Sequence, residues 1–410
     1  MPSDAAMAAC PQTNFVWYLD RVVELPPGTP RAGLPPLTGV RVLDLSALGP
    51  GPFCSMLLAD FGAEVLAVAR PGAPHPSDPA GSLARGKRSA VVDMRAPRGP
   101  GVIARLADTA DVLLESNRPG TMERRGLGPD VLCVRNPRLI YTRLTGWGQD
   151  GPYRDRAGHD INYAAIAGTL GVIGDERPVP PLAMLGDLAG GSLFAALGIV
   201  MALYERTVTG RGQVIDAAIA DGSALLNLTN LAEFNAGIWA GRGRHILSGN
   251  APFYGPYACA DGRFFAVGAI EPKFYADFLG ALGIEDVDIS EQLNPAHWPE
   301  LRERIAAVFA TKPRAHWTAA FADVDGCGAP VLELDELADD PHLRARSTLV
   351  TEPDGSVTAS PAPRLSRTPG RMGPAPTAIG ADTRDVLREW GFADDEVSSL
   401  IADATVASAE

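Results

Sequence analysis

Histidine and cysteine are scarce in this chain, and their scatter removes several functions at once. The five cysteines, Cys10, Cys54, Cys133, Cys259 and Cys327, are odd in number, far apart and free of CxxC spacing. That excludes a disulfide framework and a zinc knuckle. No HExxH and no paired histidines occur among the six histidines, so no metal centre is expected. A GxSxG nucleophile elbow, a GxxxxGK[ST] phosphate loop and a GxGxxG fingerprint are all missing, which weakens the hydrolase, nucleotide-hydrolysing and NAD readings. Positive charge is short as well. Lys plus Arg number 36 against 49 Asp plus Glu, a formal net charge of −13, and a nucleic-acid partner would want a broad basic face. The N-terminus lacks a basic start followed by an apolar run. No stretch approaches about 20 uninterrupted apolar residues. The expectation is a soluble cytoplasmic protein with neither nucleic acid nor membrane as partner.

What is present is an ordinary globular chain, 46% hydrophobic and 21% charged. Its 410 residues suit two or three domains of about 150 residues each. Residues 1–36, proline-rich in their second half, read as an N-terminal extension. Order begins at Val40–Leu45, where apolar and charged residues alternate like a strand. A loop, SALGPGP, follows, then an apolar helical run at 53–61 ending at Gly62, then a strand at 64–69. Further strands are expected at 90–93, 111–114 and 139–144, with a helix at 101–109. Short apolar strands alternating with helices predict an α/β domain with a mostly parallel sheet. Longer helices are expected at 160–170 and 188–206. The large domain is placed at 37–220, a linker at 221–240 and a smaller α+β domain at 241–330. The small domain holds a hairpin around Asp261-Gly262 and two helices. Residues 331–410 are expected to return to the large domain.

Candidate chemistry lies at strand ends and helix starts. Gly49-Pro50-Gly51-Pro52 sits where a phosphate loop would, but two prolines remove donors, and a tight turn serves equally well. Arg70, Arg118 and Arg124 follow strands, and Arg85 lies in a basic cluster before one. Arginines at the carboxyl ends of a parallel sheet suit a phosphorylated ligand, against the alternative of solvated loop charge. His159, in AGHDINY, stands at a helix start, where the amide ends oppose its protonation and favour a neutral base. Asp187, in MLGDLAGG, and Glu271, in AIEPKF, also stand at helix starts, where a plain cap is the alternative for each.

The blocks PLTGVRVLDLSALGPGPFCSMLLADFGAEVLAVARPG, RGKRSAVVDM, ADVLLESNRPGTMERRGLGP and NPRLIYTRLTGWGQDGPYRDRAGHDINY run in order along the chain. MLGDLAGG, TGRGQVIDAAIADG, FFAVGAIEPKFY and PRLSRTPG extend the series to about residue 372. Together they resemble the family III CoA-transferase superfamily, which includes formyl-CoA and carnitinyl-CoA transferases and α-methylacyl-CoA racemases. Asp187 matches the aspartate that the transferases use as nucleophile. His159 and Glu271 match residues of the racemase branch, the histidine being generally missing from transferases. Arg70 and Arg124 match the family's CoA-phosphate arginines. The resemblance implies an interlocked homodimer, each subunit with a Rossmann-like large domain and a small domain joined by long linkers. The active site is then shared, with Glu271 facing His159 and Asp187 across subunits.

The activity so implied is interconversion of (2R)- and (2S)-2-methylacyl-CoA thioesters by two acid/base groups, His159 and Asp187, on opposite faces of the α-carbon. Backbone N–H groups near Asp160 are the candidate for enolate stabilisation, and no separate cofactor is required. The alternatives are a CoA-transferase with Asp187 as nucleophile and a non-catalytic CoA-binding protein.

Overall fold

The computed structural model describes residues 33–47, 49–72 and 81–409. The N-terminal extension up to residue 32, with Cys10, and also His75, lie outside the described residues. The described chain divides into two units. The first comprises the segments to Ile166, Ala183–Leu225 and Ser360–Glu410, and the second Ala167–Leu182 and Leu226–Ala359.

The first unit is built on a seven-stranded sheet. Its parallel strands are β1 (Arg41–Asp44), β2 (Glu64–Ala69), β3 (Lys87–Val92), β4 (Val112–Glu115), β5 (Ile140–Thr145) and β6 (Val214–Ala218). They lie in the order β3-β2-β1-β4-β5-β6, with Val406–Ala407 antiparallel at the β3 edge. Strand period two sorts their side chains onto two faces. Val42 pairs with Val65 and Val112, and Val112 with Ile140. These four join one core with helices Pro50–Asp60 and Phe194–Thr209. Their neighbours Leu43, Leu66, Leu113 and Tyr141 join the opposite core, with Gly99–Thr109 and the C-terminal helices Thr383–Glu389 and Asp394–Ala402. A parallel sheet covered on both faces explains why its strands read as short apolar runs. Strand order reverses between β1 and β4. In such sheets a crevice opens at that point beyond the carboxyl ends.

Several element boundaries differ from the sequence expectation, each for a physical reason. The GPGP segment is no loop: the helix begins at Pro50, a residue suited to the first helical position. Gly51 is required there, since a Cβ would lie 2.2 Å from Ser46 Oγ. β3 starts at Lys87 rather than Ala90. Lys87 is buried, and its ammonium donates to Ser55 Oγ at 2.7 Å and to the Pro52 carbonyl at 2.8 Å, beside Asp44 at 3.6 Å. Residues 221–240, expected as a linker, contain much of Ile219–Leu226 and all of Leu228–Asn235, both helical. Their Leu225, Leu228, Leu231 and Phe234 are exposed, so no polar face marks the helix. The apolar run at 188–206 belongs to a 26-residue helical segment, Met184–Thr209, which is long and apolar enough to cross a membrane by length and composition. In the fold its Ala195, Ile199, Ala202 and Leu203 pack on the sheet.

The second unit carries a three-stranded antiparallel sheet, β7 (Tyr254–Ala258), β8 (Phe264–Gly268) and β9 (Gly328–Pro330). The hairpin between β7 and β8 turns at Asp261-Gly262 as expected, with Gly262 left-handed at φ 75°. Helices Pro272–Ala281, Trp298–Phe309 and Arg314–Ala320 close over it. The core is aromatic: Phe253, Tyr257, Phe265, Phe278, Phe309 and Trp317 are all buried. The buried polar tips are satisfied, Trp317 Nε1 donating to the Phe309 carbonyl and the Tyr257 hydroxyl to the Pro252 carbonyl.

Candidate active site

Asp187 rides on an unusual element. Met184–Leu193 is a π-helix that runs directly into the α-helix Phe194–Thr209. Such wide turns recur at functional sites. The chain enters it through Leu182 and Ala183, both left-handed at φ 51° and 63°. Left-handed backbone is unfavourable for residues that carry a Cβ, so the segment is held by its surroundings. Two contacts hold its later part. Ser192 Oγ donates to the Pro50 carbonyl at 2.7 Å, which ties the segment to the helix following β1. Gly190 lies against Gly222 so closely that a Cβ on Gly222 would sit 1.9 Å from the Gly190 carbonyl. Asp187 is half-buried. Burial, helped by the charge of Asp160 and opposed by that of His159, pushes its carboxyl up to about 6.

His159 occupies the cap of the short helix Asp160–Ile166. Its backbone N–H donates to Asn162 Oδ1 at 3.1 Å, and its carbonyl accepts from the Asn162 N–H at 2.8 Å, a reciprocal cap. Backbone and Asn162 do the capping, so the imidazole is exposed and has no hydrogen-bond partner among the described residues. Asp160, at 9% exposure, is buried instead. Its Oδ1 accepts the Asp187 backbone N–H at 2.8 Å. One helix start therefore brings together the histidine and the aspartate that the sequence singled out.

Tyr163, which the sequence reading passed over, completes this wall. Its hydroxyl donates to the Gly158 carbonyl at 2.5 Å, and its ring meets Trp147 edge-on at 4.8 Å. Gly146 makes room for it, since a Cβ there would lie 2.0 Å from the ring. Burial raises the pKa of the phenol, the charge of Asp187 adds to that rise, and Arg118 opposes it. Both charges are thus close to the Tyr163 ring, and Arg118 belongs to the same neighbourhood as Asp187.

The loop after β4 presents Arg118 and Arg124, both exposed. A buried peg holds it. Arg143 on β5 donates to Glu115 Oε1 at 3.1 Å and Glu123 Oε1 at 2.7 Å, and Glu115 also accepts the Asn117 N–H at 2.7 Å. Charged residues inside apolar strands were the sequence signal for this peg. The Arg124 guanidinium contacts Thr121 Oγ1 at 3.1 Å. Arg70 is exposed just past β2. Arg85 stands apart. It is 7% exposed, and its Nη2 and Nε reach the two Asp60 oxygens at 2.6 and 3.1 Å. A bidentate buried pair of this kind gives Arg85 a structural task.

Glu271 lies in the second unit at the cap of Pro272–Ala281. Its side chain makes no capping bond, and its carboxylate is exposed without a partner among the described residues. The plain-cap alternative therefore loses ground for His159 and Glu271 alike. Among the described residues no group of three or more His, Cys, Asp and Glu is placed to hold a metal ion.

Comparison with known proteins follows the same lines. The profile of CoA-transferase family III matches residues 37–383. Alpha-methylacyl-CoA racemase of Mus musculus is 47% identical over 380 residues, covering 91% of this chain and 98% of the relative. The racemase of the same name from Homo sapiens is 45% identical over 379 residues, with 91% and 98% covered. A CAIB/BAIF family protein from Brucella suis has the same fold, with a TM-score of 0.76 over 87% of this chain and all of its own, at 24% identity. The chain belongs to CoA-transferase family III.

Proposed function

We propose that this protein is an α-methylacyl-CoA racemase, an isomerase acting on acyl-CoA thioesters. The observation that carries the reading is the joint placement of His159 and Asp187: an uncommitted imidazole and a carboxyl pushed up to about 6, on two backbone segments joined by the Asp160 hydrogen bond. A raised pKa suits an acid/base that must both take and return a proton near neutral pH.

The thioester makes the α-hydrogen acidic because the carbanion's electron pair spreads onto the carbonyl oxygen. One member of the pair takes the proton from C2 on its face, and the C–H electrons pass into the enolate. The other member then delivers a proton to C2 on the opposite face. The roles exchange with the direction of reaction, and the pair carries one proton before and after it and two while the enolate lasts. The Asp160 N–H, which has no partner among the described residues, is assigned to the enolate oxygen. Arg70, Arg118 and Arg124 are assigned to the phosphates of CoA. Contacts at that end position the reacting carbon. The acyl chain is a 2-methyl-branched one, and Met184 and Leu185 beside Asp187 offer it apolar surface.

The large unit is read as Rossmann-like and the assembly as an interlocked homodimer. In it Glu271 is supplied by a second copy of the chain and faces His159. Two features support this. Glu271 is exposed and unpartnered, and the helix Phe194–Thr209 shows an apolar stripe, Leu197, Val200, Met201, Tyr204 and Val208, at helical spacing on its exposed side. A second copy is the occupant assigned to that stripe.

The test is incubation of one enantiomer of a 2-methylacyl-CoA in deuterated water with no acceptor acid. The reading expects α-deuterium uptake together with loss of optical purity. A transferase would need the acceptor, and a binding protein would do neither.

A further inference from the structure

We propose that the carboxylate of Asp160 is a positioning residue that holds His159 and Asp187 as one acid/base unit and tunes their shared proton. The inference rests on the racemase reading and deepens it.

The argument begins with what Asp160 is bonded to. It is the first residue of the helix that His159 caps, so its backbone is continuous with one member of the pair. Its side chain reaches the backbone N–H of the other member at 2.8 Å. Gly186, immediately before Asp187, is pressed onto the same oxygen, and a Cβ there would lie 2.2 Å from Oδ1 and 2.9 Å from the carboxyl carbon. The contact therefore has little slack. The glycine at 186 is explained by the approach of this carboxylate, which the sequence alone does not reveal.

The π-helix carrying Asp187 begins just after two left-handed residues, and its cap residue makes no side-chain capping bond. Among the described residues the Asp160 bond is the one side-chain hydrogen bond to the Asp187 backbone N–H. It substitutes for an intrahelical acceptor at a terminus that lacks one. Without it the carboxyl of Asp187 is free to drift relative to the imidazole. A reacting carbon must sit between the two groups, and a misplacement of about 1 Å can lower turnover on the order of a hundredfold.

Geometry alone would be served by an asparagine, which also offers an acceptor oxygen. The choice of a carboxylate, buried at 9% exposure and without an ion-pair partner among the described residues, needs a second reason. Burying an unpaired charge is costly. Its charge acts on Asp187, where it adds to burial in making the carboxyl hold its proton. The other charged groups on elements packed against this segment are spoken for. Arg143 on β5 is bonded to Glu115 and Glu123, and Asp216 on β6 accepts the Gln149 N–H. Asp60 is paired with Arg85, and Arg206 with Asp111. Tyr163 lies near Asp187, whose charge acts on its phenol, and Arg118 acts on the same phenol with the opposite sign. His159 opposes Asp160. Asp160 is thus the near charge that keeps the proton available to Asp187.

Two variants separate the two tasks. Asp160→Asn keeps an acceptor oxygen and removes the charge, while Asp160→Ala removes both. In Asp160→Asn the acidic limb of kcat/KM moves to lower pH for both enantiomers, with KM unchanged. In Asp160→Ala kcat falls on the order of a hundredfold while KM for acyl-CoA holds. The position of the limb is checked independently of turnover by following the carboxyl carbon of Asp187 by NMR in aspartate-labelled protein, using Asp187→Asn to assign the signal. An unmoved Asp187 titration in Asp160→Asn overturns the tuning claim, and wild-type kcat in folded Asp160→Ala overturns the positioning claim. Should Asp160→Ala fail to fold, Asp160→Asn alone decides through the titration. If the wild-type protein itself exchanges no α-proton, the racemase reading fails, whereas the NMR shift still reads the link between the two carboxylates.

Discussion

His159 and Asp187 lie one peptide bond and one hydrogen bond away from the same carboxylate, and that arrangement sets what single substitutions should do. Replacing either group should nearly abolish racemisation, because the enolate must collect its new proton from the face opposite to the one it lost. His159→Ala leaves Asp187 able to abstract and return a proton on its own face. One enantiomer should then keep slow deuterium uptake without inversion, and Asp187→Asn should show the mirror preference. Both losses fall on kcat more than KM. Enantiomer-resolved deuterium uptake checks this, and near wild-type racemisation in either variant contradicts the two-base assignment.

The Asp187 carboxyl also makes a stability prediction. Its value of about 6 lies above the ordinary 3.8, so between these pH values the folded state binds the proton more tightly than the unfolded chain. Stability contributed by this group is present below the ordinary value and is lost as pH rises through about 6. Asp187→Asn should therefore stabilise the protein at pH 8 and change little at pH 4, read by urea unfolding at each pH. For the wild type, kcat/KM should fall for both enantiomers together as pH drops through about 6, since the doubly protonated pair has no base. The arginines offer a contrast. Arg70→Ala and Arg124→Ala should weaken binding of free CoA, measured by calorimetry, while an exposed arginine without function should change almost nothing on truncation. Wild-type affinity in both variants would remove them from the phosphate site.

At the scale of elements, the site depends on close approaches that only glycine allows. Gly146 seats the Tyr163 ring, and Gly146→Ala should destabilise the protein by about 1–3 kcal/mol through overpacking, with a matching fall in urea midpoint. An unchanged midpoint would mean that the ring has room to move. Most strands were legible in the sequence because a strand buried on both faces reads as a short apolar run, Val42 and Leu43 serving opposite cores. The β7–β8 hairpin was legible because Asp-Gly at its turn has few other uses. The helices at 219–235 were not, because exposed leucines and Phe234 hide the polar face that marks an ordinary surface helix. The π-turn under Asp187 was not legible either. It arises from long-range ties to Pro50 and Asp160 that no local pattern records. The peg Arg143–Glu115–Glu123 left a trace, charged residues inside apolar strands, but not its pairing, and the sequence neighbours of Arg85 suggested a ligand arginine although its guanidinium meets Asp60.

For the whole molecule, the proposed dimer rests on the exposed apolar stripe on Phe194–Thr209 and the free Glu271 carboxylate. Sedimentation at assay concentration should give a dimer, and Met201→Glu in the stripe should shift it toward monomer with loss of activity. A fully active monomer would contradict the shared site. The resemblance in sequence named His159, Asp187 and Glu271 as candidates, and the fold adds what connects the first two. The central claim, that this pair moves an α-proton across the thioester, is tested most directly on the wild-type enzyme. Each enantiomer of a 2-methylacyl-CoA is incubated in deuterated water without any acceptor acid, and deuterium content and optical purity are followed together. Racemisation from both sides with solvent deuterium at C2 is the predicted result. No exchange without an acceptor, with acyl transfer once a free acid is added, would contradict it.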